Sequence, residues 1–220
     1  MKLKALLLGV LVILLFVGCV NEDSNKNGNK TESIQTESQP DVEGKDKGKE
    51  TETDQVSPEA VAKTAIHALK NQDMSKLSEL THPSKGILFS PYGYINEETA
   101  KVFRAEEVKD LLADQADNQW GFYDGSGEPI LLTFSDYYKI FVYDVDFADA
   151  PEKSLNERLG HGNTPDNSKD VFPDASVFEF YYPGTNPKYN GMDWKSLRLI
   201  LVEEDNKWYV IGIVHDEWTI

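Results

Sequence analysis

The chain has 220 residues, one cysteine and a formal net charge of −16. That length holds one ordinary domain with an appendage rather than several domains. A lone cysteine excludes an intrachain disulfide framework and any CxxC metal or redox site, and the acidity excludes the basic face that nucleic acid requires.

Lys2 and Lys4 precede the run Ala5–Val17, which has no polar side chain. The run is shorter than the roughly 20 apolar residues of a membrane span and has the length of a signal-peptide core. It ends in Phe16-Val17-Gly18-Cys19, with the chain's only cysteine at the last position. This segment resembles the lipobox of bacterial lipoproteins, although Phe16 stands where that family usually has Leu. The resemblance implies a signal peptide over residues 1–18, lipidation of Cys19 and attachment to the extracytoplasmic face of the cell membrane. Residues 19–56 then read as the lipidated cysteine and a tether. Residues 21–56 contain no aromatic side chain, so they cannot bury enough apolar surface to offset their ordering entropy. As a flexible coil the tether spans roughly 30–35 Å. Its composition is similar to tethers on lipoproteins of Gram-positive bacteria.

Composition changes at Ser57, and residues 57–220 read as a single globular domain. Ser57-Pro58-Glu59 predicts a helix start, with an N-cap, a proline at the first position and an early acid. Val61, Ala65, Ala68 and Leu69 continue at helical spacing to about Asn71. Asp73 is placed to cap a second helix carrying Leu77 and Leu80, stopped by Pro83 and Gly86. Ile87–Tyr92 reads as extended, Arg104–Asp114 as a third helix, and Trp120–Pro129, with Asp124-Gly125-Ser126-Gly127, as a turn. Thr133 predicts the N-cap of a fourth helix holding Phe134, Tyr137, Tyr138 and Phe141. Pro151–Leu159 is expected as a fifth, closed by Gly160.

Beyond this the period changes to two. Ser176–Tyr182, Ser196–Glu203 and Lys207–His215 predict strands, and the last two join in a hairpin with a two-residue loop at Asp205-Asn206. The expected fold is α+β: N-terminal helices packed on a C-terminal curved antiparallel sheet. That element order resembles the cystatin-like or NTF2-like architecture, in which a sheet wraps a helix into a cone. The phrases His82-Pro83-Ser84-Lys85-Gly86, Gly127-Glu128-Pro129-Ile130, Gly191-Met192-Asp193-Trp194 and His215-Asp216-Glu217-Trp218-Thr219-Ile220 are similar to those of uncharacterised Gram-positive envelope proteins.

With an uninterrupted hairpin register, His215 falls opposite Ser196 and diagonal to Arg198, on one face. A histidine beside a guanidinium is expected neutral at pH 7, fit for a general base or an anion site. The alternative is that Arg198 and His215 close the sheet end by pairing with Asp216, Glu217 or Glu179. Asp193 is expected to organise the loop before its strand, or to act as an acid with His215. Tyr181, Tyr189 and Trp194 are candidates for stacking on a glycan or peptide, or else anchor their loops. Asn163–Asp170 is rich in oxygen ligands but lacks the glycine and glutamate an EF-hand needs. Asp144, Asp146 and Asp149 form a second acidic group, expected to face water. His67 is expected on the surface, His82 at a helix end and His161 in a loop.

Motifs for nucleotide binding, metalloprotease and serine-hydrolase chemistry are missing, and no two histidines have zinc-ligand spacing. No cofactor and no metal are therefore expected. The leading functional expectation is a membrane-anchored binding module of the envelope. Its partners would be the membrane, through the lipid, and an envelope protein, peptide or wall polymer. The alternative is a small-substrate hydrolase or isomerase using His215 and an acid such as Asp193. A third possibility is a spacer that holds a partner at a set height.

Overall fold

The computed structural model describes residues 56–219. The expectations for the signal peptide, for Cys19 and for nearly all of the tether fall outside those residues.

Helix α1 spans Pro58–Lys70, with the Ser57 hydroxyl accepting the Ala60 N–H at 3.2 Å. Helix α2, Met74–Leu80, is capped by the Asp73 carboxylate at the Lys76 N–H. Strand β1 (Ile87–Ser90) follows, then β2 (Lys101–Phe103). The helix expected over 104–114 is one turn, α3 (Ala105–Val108), continued by irregular turns. Asp110, Asp114 and Asp117 lie where its C-terminal end would be, and acids there oppose the helix dipole. Trp120–Pro129 is more than a turn. Strands β3 (Asn118–Phe122) and β4 (Pro129–Leu132) pair antiparallel as a separate two-stranded sheet around Asp124–Gly127. Helix α4 (Phe134–Phe141) starts at the Thr133 cap as expected.

The fifth helix expected over 151–159 is instead strand β5 (Glu152–Leu155), hydrogen-bonded to the edge of β6 (Ser176–Tyr182). A helix of nine residues with little to bury is marginal alone, and the open edge of β6 supplies better partners. Helix α5 (Ser168–Val171) is a single turn. Strands β7 (Lys195–Glu204) and β8 (Lys207–Glu217) complete the fold.

Six strands form the main sheet in the order β2-β1-β8-β7-β6-β5. Every pairing is antiparallel except β1 with β8, which is parallel. The sheet therefore draws strands from both halves of the chain, and the expected division of helices first and strands last is only partly right. Helices α1, α2 and α4 cover one face, where Ile66, Leu69, Phe134, Tyr137, Leu199 and Ile213 meet in the larger core. On the other face Leu88, Ile200, Ile211 and Val214 form a smaller cluster, partly covered by Val171 and Phe172. Burial on both sides explains why β7 reads as a nearly continuous apolar run.

Asp205 and Asn206 turn the hairpin with φ of 53° and 59°, the left-handed backbone that a tight two-residue loop demands. From there the expected register holds as far as Leu201 opposite Val210. Ile200 then pairs with Gly212, so Ile211 is an extra residue on β8. Gly212 allows the close approach, since a Cβ there would meet Ile200 Cγ1 at 2.9 Å. A bulge of this kind bends and twists the strand that carries it, and here it curves the two longest strands of the sheet.

Candidate functional site

The bulge decides where the candidate residues go. A one-residue slip moves each following side chain to the opposite face. Past Ile211, His215 pairs with Leu197, and Arg198 with Val214. His215 thus shares the helix-covered face, whereas Arg198 lies on the other. The expected cavity with both residues on one side does not form, and neither does the histidine–guanidinium contact that was to keep His215 neutral.

His215 is fully buried. Its Nδ1 lies 3.3 Å from the Pro91 carbonyl and its Nε2 3.3 Å from Asp144 Oδ1. Phe141 and Phe147 stand edge-on to the ring. Asp144 also pairs with Lys195 at 2.9 Å, and Lys195 with Glu217. Of the acidic group expected in water, Asp144 is largely buried, whereas Asp146 and Asp149 are exposed and both pair with Lys70 at the surface. Asp193 accepts the N–H groups of Thr185 and Asn186, at 3.2 and 3.0 Å, the loop role foreseen for it. Its described hydrogen bonds do not reach His215.

On the far face Arg198 pairs with Asp216 and Asp166, and Arg158 reaches Asp216 at 3.0 Å. Nearby, buried Glu179 accepts the N–H groups of Leu159 and Gly160 and the hydroxyl of Ser196. Trp194 is only 3 % exposed. A Cβ on Gly160 would sit 2.6 Å from its ring, so the residue anchors the 158–164 loop rather than offering a stacking face. Tyr181 packs beside it, ring centroids 6.0 Å apart. His82 follows the end of α2 as expected, and is buried there. Its Nδ1 accepts the N–H groups of Ser84 and Lys85, and its Nε2 lies 2.6 Å from Glu204, off the line of the N–H.

These carboxyls titrate in opposite senses. Burial raises Asp216 above the ordinary 3.8, and Arg198 and Arg158 only partly offset it. Burial also pushes Asp144 and Asp166 upward, but both end lower: His215 and Lys195 outweigh burial for Asp144, Arg198 and Ser168 for Asp166. A lowered carboxyl contributes stability that is present above its unfolded pKa and lost as pH falls through the folded value. A raised one contributes stability present below the unfolded pKa and lost as pH rises through the folded value. Urea midpoints measured from pH 7 to pH 3 are therefore expected to fall less steeply in acid for Asp144→Asn and more steeply for Asp216→Asn. Parallel profiles for the two variants and the wild type would refute the assignment.

The two networks flank a cleft that the sequence patterns did not single out. It has a volume of about 470 Å³ and lies between the Pro91–Ala100 segment and the β3–β4 hairpin. Tyr92 and Tyr94 come from the first wall, Trp120, Phe122 and Tyr123 from the second. Trp120 is buried, stacked on Tyr137 at 4.0 Å, with its indole N–H donating to the Leu132 carbonyl at 2.9 Å. By contrast Tyr94 is 51 % and Phe122 47 % exposed. Gly121 lies between Trp120 and Phe122 at φ 122°, a backbone conformation that a side chain strains.

The first wall is fixed from behind. Asn167 accepts the Ile95 N–H at 2.7 Å and donates to the Ile95 carbonyl at 3.0 Å. Gly93 packs on the Arg198–Asp216 pair, where a Cβ would meet Asp216 Oδ2 at 2.6 Å. The same wall supplies the Pro91 carbonyl that faces His215. Arg198, Asp216 and His215 thus hold the cleft wall rather than line it. Two aromatic–glycine–aromatic triplets, Tyr92-Gly93-Tyr94 and Trp120-Gly121-Phe122, were the available signal.

No protein-family model matches the chain, and no curated protein matches it. Solved structures give distant likenesses. A Xanthomonas campestris protein assigned as a calcium/calmodulin dependent protein kinase II association domain is 14 % identical, with a TM-score of 0.32, over 72 % of this chain and 84 % of its own. A variant of the chain named Rd1NTF2_05 is 10 % identical with a TM-score of 0.29, and a DUF4783 family protein from Bacteroides ovatus 11 % with 0.26. Each of these covers 71 % of this chain and 94 % of its own.

Proposed function

We propose that the chain is a lipid-anchored binding module of the cell envelope, held on the extracytoplasmic face of the membrane through Cys19, with its ligand site in the aromatic cleft. The observation that carries this reading is the cleft itself: two exposed rings and a buried indole around about 470 Å³. An open, largely apolar cleft with a few polar groups suits ligand binding. We take the architecture to be NTF2-like, on the strength of a bulged sheet with helices on one face. The hydrolase or isomerase alternative loses its support, because His215 is sealed in the core and Asp193 is occupied by its own loop.

Fractionation of cells making the full-length chain tests both halves. The wild type is expected with the membrane and Cys19→Ser in the soluble fraction. Solubilised wild type is expected to sediment with purified wall sacculi, and the Tyr94→Ala, Phe122→Ala double variant to stay in the supernatant. A membrane-bound Cys19→Ser protein would sink the anchor, and equal sedimentation of the double variant would sink the cleft.

A further inference from the structure

We infer that the cleft recognises a neutral glycan, through the apolar C–H faces of its pyranose rings; this rests on the binding-module reading and names the ligand class for the same site. A pyranose ring is two-sided chemistry, with a flat apolar face and a polar hydroxyl edge. The cleft matches both. Tyr94 and Phe122 stand about half exposed, one on each wall, and aromatic rings attract C–H groups while excluding water. Around them Asn96, Thr99 and Asp124 supply hydrogen-bonding edges. Asp124 already engages hydroxyls: that of Thr219 donates to its Oδ2, and that of Thr164 lies 3.5 Å from the same atom. Its place in the site is thus that of an acceptor for alcohol groups.

Charge narrows the choice. Among the described residues Asp124 is the only carboxylate lining the cleft and no Lys, Arg or His lines it, and the whole chain carries −16. A wall polyanion would meet long-range repulsion and find no cation to pair with. A neutral sugar chain meets neither obstacle. The backbone is also left bare where rings would slide past it. Gly121, Gly125 and Gly127 lie in the lining, and a Cβ on Gly127 would meet nothing within 4 Å. The volume of about 470 Å³ lies within the range of small-ligand clefts.

The test is an amide-resolved NMR titration of the full chain carrying Cys19→Ser, with the β-1,4-linked N-acetylglucosamine trimer as one probe and trilysine as the other. The trisaccharide is expected to shift the Gly121, Gly125 and Gly127 amides saturably. Tyr94→Ala and Phe122→Ala are each expected to weaken it about tenfold without moving the amides of the β7–β8 hairpin. Trilysine is expected to leave those glycines unmoved. If trilysine shifts them, the trisaccharide does not, and Asp124→Asn abolishes the response, the cleft is a cation site and the glycan inference is overturned while the binding reading stands. If neither probe moves the cleft and the sacculi also fail to bind, both are overturned.

Discussion

Arg198→Ala is expected to lower the stability of the domain by about 3–5 kcal/mol, the cost of breaking one side of a buried ion pair. Arg198 and Asp216 are both fully buried. Removing the guanidinium leaves the Asp216 carboxylate in the interior with Arg158 as its remaining ion-pair partner among the described residues, and that side chain is partly in water. Asp166 loses its partner as well. The vacated volume adds a cavity cost to the electrostatic one. If the loss comes from stranding charges, removing Asp216 together with Arg198 recovers part of it, so the Arg198→Met, Asp216→Leu double variant is expected to be more stable than Arg198→Ala. Urea unfolding followed by circular dichroism measures all three. A loss under about 1 kcal/mol for Arg198→Ala would place the pair in effectively aqueous surroundings, against its burial. Because Gly93 rests on this pair, the variant is also expected to loosen the Tyr92–Tyr94 wall of the cleft.

The second large effect is at Trp120. Its ring is buried against Tyr137, Phe134, Phe89 and Phe103, and its indole N–H closes β3 onto β4 at Leu132. Trp120→Ala is expected to cost about 3–5 kcal/mol, as truncations of buried large aromatics do. Trp120→Phe keeps a ring for Tyr137 but leaves the Leu132 carbonyl without its donor. It is expected to cost less, about 1–3 kcal/mol for the unsatisfied group together with the smaller ring. Thermal unfolding of the two variants separates the contributions: equal losses would mean that the hydrogen bond, not the packing, carries the residue.

The parts of this fold that were legible are those set by neighbours in the chain. Ser57, Asp73 and Thr133 announce their helices because a cap acts within three residues. The Asp205-Asn206 turn is legible because a two-residue loop tolerates few residue types. The misread parts depend on distant partners. β5 is a strand only because the edge of β6 lies beside it, and β1 joins the sheet through a parallel pairing with β8, far along the chain. The site followed the same division. Asp193 was read correctly from its loop. Arg198 and His215 were placed together because the register was carried past Ile211 without interruption, although Gly212 marked the spot where a backbone comes close. The cleft escaped notice because its two walls lie in separate stretches of sequence, and each alone looks like a turn with ordinary aromatic residues.

The extra residue in β8 has a bearing on how such a gene can change. Beyond it the pairing with β7 runs one residue to one from Gly212 to Glu217, in step with Val210 opposite Leu201. Loss of the one codon at Ile211 would leave Val210 opposite Leu201 and Gly212 opposite Ile200, so His215 would stay in the aromatic core and the two strands would lose only their bend. Exchange of Ile211 for another residue would leave the pattern intact. Ile211 is therefore a position at which the last strand can shorten by one residue without moving Arg198 or His215 to another face, whereas the curvature of β7 and β8 depends on its presence.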